Sequence, residues 1–184
     1  MDKDLQSVQE VRDLIKQAKQ AQKALAAMNQ QQIDRIVEAV AREGVKHARR
    51  LAEMAVEETG FGIVEHKEIK NRFSCTTVYE GIKDLKTIGI LAEDKEHKTV
   101  DIGVPVGIVA GLVPSTNPTS TIFYKSLICL KAGSPVIFSP HPNAVKCIGE
   151  AVRIVAQAAE GAGAPRGAVS CITNPTLDAT NSLM

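Results

Sequence analysis

The sequence predicts an α/β fold in which N-terminal helices precede a partial parallel sheet with helices on both faces. One observation is a change in composition near residue 104. Residues 1–100 hold 17 of the 22 Lys and Arg residues and 17 of the 21 Asp and Glu residues, and all eight prolines come later. The other observation is the alternation of strand-like and helical segments after residue 104. Such alternation produces parallel strands joined by right-handed crossovers.

The first half of the chain has the periodicity of helices. Apolar residues recur every three or four positions from Leu5 to Leu25, which predicts one amphipathic helix. Asn29 and Gln32 have the spacing of a capping box at the start of a second helix. We expect Gly44 to end that helix, because glycine disfavours helix interiors.

Two further helices are predicted before the composition changes. One covers about residues 45–59 and ends at Gly60, since glycine readily adopts the left-handed conformation of a helix stop. The other covers about residues 64–86, and its apolar side chains are expected to face inward: Ile69, Phe73, Val78, Tyr79, Ile82 and Leu85. Residues 98–104 then alternate polar and apolar side chains, which predicts a strand in a small hairpin or an oligomer-forming ribbon.

The second half predicts three strands separated by helices. Residues 107–113 form a continuous apolar run, as expected of a strand that is buried on both faces. Strands are also predicted at 135–139 and 168–173, and helices at about 119–131, 144–160 and 174–184. We accordingly divide the chain into a helical segment with a short β-ribbon, residues 1–104, and the first part of an α/β domain, residues 105–184.

Three loops follow the predicted strands, at the sheet edge where open parallel sheets bind ligands. They are residues 114–119, 139–142 and 173–176, and each leads into a helix N-terminus, which favours a phosphate or carboxylate. Each loop can also be explained without a ligand. Asn117-Pro118 and Asn174-Pro175 fit an Asn helix cap followed by proline, and His141 fits a rigid turn residue between two prolines.

The composition argues against several classes of protein. With a net charge of +1 and 3% aromatic residues, the chain lacks the basic field and stacking side chains expected of a nucleic-acid partner. No apolar run approaches the length of a membrane span, and the N-terminus lacks a signal pattern. We therefore expect a cytoplasmic protein without a membrane partner. The glycines of residues 161–167 precede a predicted strand, so they do not form the usual dinucleotide motif.

The cysteines and histidines predict no metal site. Neither residue type clusters at the spacing that metal ligands require. The cysteines are predicted to be small buried hydrophobes rather than nucleophiles: Cys75, Cys129, Cys147 and Cys171.

Two loops and their flanking strands resemble a known family. Residues 105–121, PVGIVAGLVPSTNPTST, and residues 137–142, IFSPHP, closely resemble the CoA-acylating aldehyde dehydrogenases, in particular the N-terminal half of bifunctional aldehyde–alcohol dehydrogenases. Residues 163–165 and the upstream segment 57–71 support the resemblance, which covers essentially the whole chain. It implies an aldehyde dehydrogenase-like fold, in which residues 105–184 form the first part of a Rossmann-like NAD-binding domain.

The resemblance implies an oxidoreductase that converts an aldehyde, typically acetaldehyde, with NAD and CoA into acyl-CoA and NADH, reversibly. In this family a cysteine thiolate attacks the aldehyde, hydride leaves the thiohemiacetal for NAD, and CoA takes the acyl group from the thioester. Asn117 matches the family asparagine whose amide donates to the developing oxyanion. The implied partners are the small-molecule aldehyde and CoA, together with further copies of the chain in a homo-oligomer.

The resemblance also assigns the cofactor site. The loop that lines the NAD site corresponds to Leu112, Val113, Pro114, Ser115, Thr116 and Asn117, and the turn beneath the adenosine corresponds to Ser139, Pro140, His141 and Pro142. Hydrolytic aldehyde dehydrogenases carry Lys and Glu where Ser139 and Pro142 stand here. We therefore expect a looser grip on the dinucleotide, which would suit a site that also admits CoA.

The family's nucleophilic cysteine has no counterpart among the four cysteines, because its motif lies beyond residue 184. We therefore expect these residues to be an N-terminal fragment of such an enzyme, inactive alone. Two alternatives stay open. One is a module that binds a nucleotide or CoA without chemistry. The other is an interaction protein whose helical half and ribbon mediate assembly.

Overall fold

The computed structural model describes residues 3–184, which contain helices and two separate β-sheets. The α-helices of this part of the chain are α1 (Lys3–Ala26), α2 (Gln30–Thr59), α3 (Val64–Cys75), α4 (Thr77–Ile82), α5 (Pro118–Lys131), α6 (Val145–Gly161) and α7 (Leu177–Leu183). Its strands are β1 (Gly89–Asp94), β2 (Thr99–Gly103), β3 (Val109–Val113), β4 (Val136–Pro140) and β5 (Val169–Cys171). A 3₁₀ turn, Pro142–Ala144, precedes α6.

Helix α2 begins at the capping box predicted for the second helix and ends at the glycine stop predicted for the third. The Asn29 side chain accepts a hydrogen bond from the Gln32 backbone N–H (3.0 Å), and the Gln32 side chain accepts one from the Asn29 backbone N–H (2.9 Å). The capping box is therefore confirmed. Gly60 follows the helix in the left-handed conformation, with φ of 67°, which confirms the predicted stop.

The prediction that Gly44 ends a helix is wrong, because α2 continues through it to Thr59. Gly44 is buried where α3 and α5 pack closely against α2. A Cβ atom at this position would collide with the sulfur of Cys75 and would lie 2.9 Å from the ring of Phe123. Glycine is therefore required here by the packing of α3 and α5 on α2, which offsets its low helix propensity.

The prediction of one helix over residues 64–86 is also wrong, because Thr76 separates α3 from α4. The apolar side chains of α3 do not face inward: Ile69 is 64% exposed and Phe73 is 55% exposed. Leu85, beyond the end of α4, is exposed as well. The buried residues of α3 are instead Lys67, Asn71, Ser74 and Cys75.

This polar face of α3 is inside because its groups find hydrogen-bond partners there. The Asn71 amide donates to the carbonyl oxygen of Ala48 in α2 (2.9 Å). The hydroxyl of Thr119 in α5 donates to the Asn71 side-chain oxygen (2.8 Å). A buried polar group that is fully bonded avoids the cost of desolvation, so helix periodicity alone selected the wrong face.

Strands β1 and β2 form an antiparallel hairpin. The alternation in residues 98–104 predicts β2, whereas β1 has no counterpart among the predicted strands. Gly89 pairs with Gly103 and Asp94 pairs with Thr99, with an irregularity between Ile90 and Ala92. Both strands are exposed along almost their whole length. The ribbon therefore adds almost nothing to the core of residues 3–184.

Strands β3, β4 and β5 form a parallel sheet in that order, with β4 in the centre. Helices cover both of its faces, as predicted. On one face, Ile137 of β4 packs against Val11 and Ala18 of α1 and Ala179 of α7. On the other face, Phe138 of β4 lies in the main core with residues of α2, α5 and α6. The cores therefore include residues from both sides of residue 104.

Helix α7 starts later than predicted, and Asn174 does not cap it. Thr176 is the N-cap, and its hydroxyl oxygen accepts a hydrogen bond from the Ala179 backbone N–H (3.0 Å). The helix begins at Leu177, so Pro175 lies outside it. A threonine one position beyond the proline takes the capping role, since Ser, Thr, Asp and Asn are all good caps.

Candidate functional site

A cleft lies at the carboxyl ends of β3 and β4. Leu112 pairs with Ser139 and Val113 pairs with Pro140 in the sheet register, which brings two of the predicted loops side by side. The His141 backbone N–H donates to the Val113 carbonyl oxygen (3.0 Å) and ties the loops together. The cleft has a volume of about 330 Å³ and is lined by Leu112, Val113, Pro114, Ser139, Pro140, His141 and Thr180.

The polar side chains of the loop at residues 139–142 already form hydrogen bonds within the chain. The Ser139 hydroxyl is buried and donates to the Thr180 hydroxyl oxygen (2.9 Å), because the Thr180 hydroxyl itself donates to the Thr176 carbonyl oxygen (3.1 Å). His141 accepts a hydrogen bond at Nδ1 from the Asn143 backbone N–H (3.1 Å). The interpretation of His141 as a turn residue is therefore confirmed.

Asn117 stands at the start of α5 but does not cap it. Its side chain makes no hydrogen bond to the helix, although Pro118 occupies the first helical turn as predicted. Capping as the explanation of Asn117 is therefore wrong. The side-chain oxygen Oδ1 accepts a hydrogen bond from Lys70 Nζ (2.9 Å) instead. The amide is thus held from outside α5 by a cation on α3.

A second lysine of α3 holds the same loop by its backbone. Lys67 is buried, and its Nζ donates to the Thr116 carbonyl oxygen (3.0 Å). Burial lowers the pKa of the Lys67 ammonium, and the nearby charge of Lys70 lowers it further. Sequence reasoning assigned no role to these lysines. The signal was present in the polar residues at 67, 71 and 74, whose spacing places them on one helix face.

A second cleft, of about 480 Å³, opens between α3 and the Asn117 loop. It is mostly apolar and is lined by Phe61, Gly62, Ile63, His66, Lys67, Ile69, Lys70, Thr116 and Asn117. The residues expected to bind the cofactor thus divide between two clefts. Thr116 and Asn117 face this one, and six others line the cleft between β3 and β4. Ser115 and Pro142 belong to the same two loops but line neither cleft.

The third predicted ligand loop is held by a carboxylate of the chain itself. Glu10 of α1 accepts hydrogen bonds from the backbone N–H and the hydroxyl of Thr173 (2.7 Å each) and from the backbone N–H of Asn174 (3.2 Å). These three donors are therefore not available to an external anion. The N-terminus of α6 is also bound by a carboxylate of the chain, because Glu58 accepts hydrogen bonds from the backbone N–H groups of Lys146 and Cys147.

The four cysteines are not activated thiols. Burial raises the pKa of Cys75, Cys147 and Cys171 to about 12 and that of Cys129 to about 11. Such thiols stay protonated near neutral pH and are poor nucleophiles. Cys171 is half-buried and the other three are buried, as predicted for packing residues.

Residues 3–184 lack two further classes of feature. No group of three His, Cys, Asp or Glu side chains in this range could hold a metal ion. Among the helices of the same residues, none combines the length and the apolar character that crossing a bilayer requires.

Comparison with known proteins identifies the fold. Residues 3–184 match the family model described as "Aldehyde dehydrogenase family". The chain is 45% identical over 178 residues to the bifunctional aldehyde-alcohol dehydrogenase AdhE of Escherichia coli (strain K12), covering 97% of this chain and 20% of that protein. The crystal structure of a probable aldehyde dehydrogenase from Listeria monocytogenes EGD-e matches with a TM-score of 0.99 and 60% identity, over 100% of this chain and 40% of that one.

An acetylating aldehyde dehydrogenase from Geobacillus thermoglucosidasius matches with a TM-score of 0.98 and 57% identity, over 99% of this chain and 40% of that one. The chain therefore spans about a fifth of the AdhE relative and two fifths of these solved chains. Two more distant solved relatives hold ligands. A propionaldehyde dehydrogenase from Rhodopseudomonas palustris, 31% identical, has bound CoA and an acylated cysteine. An engineered glycolyl-CoA reductase, 30% identical, has bound NADP+. The chain belongs to the aldehyde dehydrogenase family and is similar to its CoA-acylating members.

Proposed function

We propose that these residues are part of an NAD-dependent, CoA-acylating aldehyde dehydrogenase that acts on acetaldehyde. One observation carries the proposal. The Asn117 carboxamide is not used as a helix cap, and its oxygen is held by Lys70 beside an apolar cleft. A neutral amide prepared in this way is suited to donate to an oxyanion that forms when a thiolate attacks an aldehyde.

The roles of the residues follow from their positions. Asn117 would donate from its side-chain NH₂ to the aldehyde oxygen as negative charge develops on it. A cysteine outside these 184 residues would supply the thiolate, since the four thiols here have raised pKa values. The apolar side chains of the cleft beside α3 would exclude water from the reacting carbon. CoA, as the second substrate, would then release the acyl group by attack on the thioester.

The cleft between β3 and β4 fits a dinucleotide in its chemistry. Leu112, Val113 and Pro140 give it apolar walls, and it opens at the carboxyl ends of parallel strands, where such ligands bind. NAD, when bound, supplies the acceptor for the hydride that leaves the thiohemiacetal. We propose that residues 105–184 are the first part of the domain that binds it, with residues 1–104 as a helical segment and ribbon.

We propose that the protein binds the ribose hydroxyls of the dinucleotide weakly. The Ser139 hydroxyl donates to Thr180 and is therefore committed within the chain. Pro142 lies in the 3₁₀ turn and carries no side-chain donor or acceptor. Neither residue would anchor ribose hydroxyls as a Lys and Glu pair would. Restoring Lys and Glu at these positions is expected to tighten NAD binding and slow CoA turnover, and no change in either quantity would refute the idea.

We also propose that the enzyme is a homo-oligomer assembled through the β1–β2 ribbon. Ile90, Leu91, Val100 and Ile102 are all more than 40% exposed on these strands. An exposed ribbon with apolar side chains is unusual in a monomer, because it invites association. Sedimentation velocity on the full-length protein tests this assignment, since a monomer at micromolar concentration would contradict it.

The central experiment is an NADH assay on the full-length enzyme with acetaldehyde and CoA. The expected result is thiol-dependent NADH formation that requires CoA and is lost in Asn117→Ala. Residues 1–184 alone are expected to give no turnover. NADH formation that persists without CoA would contradict the acylating reaction. Tight binding of NAD or CoA with no turnover by the full-length protein would instead favour a non-catalytic binding module.

A further inference from the structure

The carboxamide of Asn117 can adopt two orientations, related by a flip that exchanges the positions of its oxygen and its nitrogen. A lysine ammonium carries three donors and no acceptor, so only the oxygen of the carboxamide can face Lys70. The 2.9 Å contact between Lys70 Nζ and Asn117 Oδ1 therefore determines which way the amide points. Within residues 3–184, no acceptor bonds to the nitrogen of this amide, so its two N–H groups stay available.

We propose that Lys70 is a positioning residue for the oxyanion donor Asn117. This inference rests on the proposed function and adds to it the residue that prepares the amide. Lys70 acts in two ways. It excludes the flipped amide, whose oxygen would repel a developing oxyanion, and it draws electron density toward Oδ1, which makes the N–H groups better donors.

The surroundings of Lys70 favour this role over a plain surface ion pair. Its ammonium donates to the Asn117 amide oxygen and makes no salt bridge with an acidic side chain of residues 3–184. Glu65 and Glu68, on the same helix, pair with Arg49 instead. The adjacent Lys67 holds the Thr116 carbonyl oxygen (3.0 Å), so the backbone that carries Asn117 is fixed separately from its side chain.

The test uses the full-length enzyme with Lys70→Met, which keeps the length of the side chain and removes the ammonium. Lys70 is exposed, so the substitution is not expected to prevent folding. We expect kcat to fall about tenfold, below the 10²–10³-fold cost of deleting an oxyanion donor outright, with the KM for the aldehyde little changed. Lys70→Arg keeps a cationic donor and is expected to recover most of the activity.

A double-mutant cycle separates positioning from a general effect on structure. If Lys70 acts through Asn117, Lys70→Met should have no further effect on kcat in an Asn117→Ala background. Arg72→Met is the matched control, because it removes a positive charge from the same helix without touching the Asn117 loop. Equal losses of kcat in Arg72→Met and Lys70→Met would overturn the proposal.

The remaining outcomes are also decisive. Additive losses in the double mutant, or a Lys70→Met enzyme with unchanged kcat, would overturn the positioning role while the proposed function stands. A wild-type enzyme that forms no NADH from acetaldehyde and CoA would overturn the proposed function and this role with it. A tenfold loss that disappears in the Asn117→Ala background and is recovered by arginine would support the proposal.

Discussion

The Glu58 carboxylate accepts a 2.7 Å hydrogen bond from the backbone N–H of Cys147, which lies 89 positions further along the chain. It also accepts from the backbone N–H of Lys146 (2.8 Å). The last turn of α2 therefore caps the first turn of α6. A carboxylate at a helix N-terminus satisfies free N–H groups and interacts well with the helix dipole.

Glu58→Ala is expected to lower the free energy of unfolding by about 1–2 kcal/mol, the usual cost of losing an N-terminal cap. Chemical denaturation followed by circular dichroism measures this change. Glu57→Ala is the matched control, since Glu57 lies at the same end of α2 and its side chain makes no hydrogen bond or ion pair within residues 3–184. Equal destabilisation by the two substitutions would contradict the capping role.

Gly44→Ala is expected to destabilise the protein by about 1–3 kcal/mol, because the added methyl group must displace the Cys75 sulfur and the Phe123 ring. Gly149→Ala is the control. Gly149 lies inside α6, and a Cβ atom there would meet nothing within 4 Å. This second substitution is expected to stabilise by up to about 1 kcal/mol through helix propensity. Thermal unfolding of both variants measures the difference, and a stabilising Gly44→Ala would refute the packing explanation.

The stability of the protein should depend on pH through Glu150. Hydrogen bonds from Arg153, followed by those from Arg50, lower the pKa of this carboxyl from 4.5 to about 2. A carboxyl with a lowered pKa in the folded state stabilises that state above pH 4.5, and the contribution is lost as pH falls toward 2. Wild type should therefore be more stable than Glu150→Gln at pH 7, and the gap should narrow between pH 4.5 and 2. Urea denaturation at pH 7 and pH 3 tests this, and a constant gap would count against it.

Glu10→Gln is expected to loosen the loop after β5. The substitution weakens hydrogen bonds to Thr173 and Asn174, and the expected loss of stability is about 1–2 kcal/mol. Hydrogen–deuterium exchange should quicken at the Thr173 amide, while amides in the middle of α2 keep their protection. If the Thr173 amide exchanges at the wild-type rate, the carboxylate does not hold this loop.

Local sequence signals predicted most of the elements and their order. Asn29 with Gln32 predicted the start of α2, and Gly60 predicted the stop at its other end, although these signals were assigned to two separate helices, because capping depends on residues a few positions apart. The apolar run before Pro114 indicated strand β3 for the same reason, but the expectation that this strand is buried on both faces is wrong, because Ala110 and Leu112 are exposed. The role of Gly44 has no local signal, because it depends on Cys75 and Phe123, which are distant in the chain.

Sequence periodicity and turn residues were enough to predict the parallel sheet, the helices on its two faces, strand β2 of the hairpin and the two loops that meet at the carboxyl ends of β3 and β4. These features follow from periodicity and turn residues, which act over short distances. The burial of the polar face of α3 and the contact of Lys70 with Asn117 depend on how the elements pack together. The physical reason is that a buried polar group is stable only where partners from other elements satisfy it, and no local pattern specifies those partners.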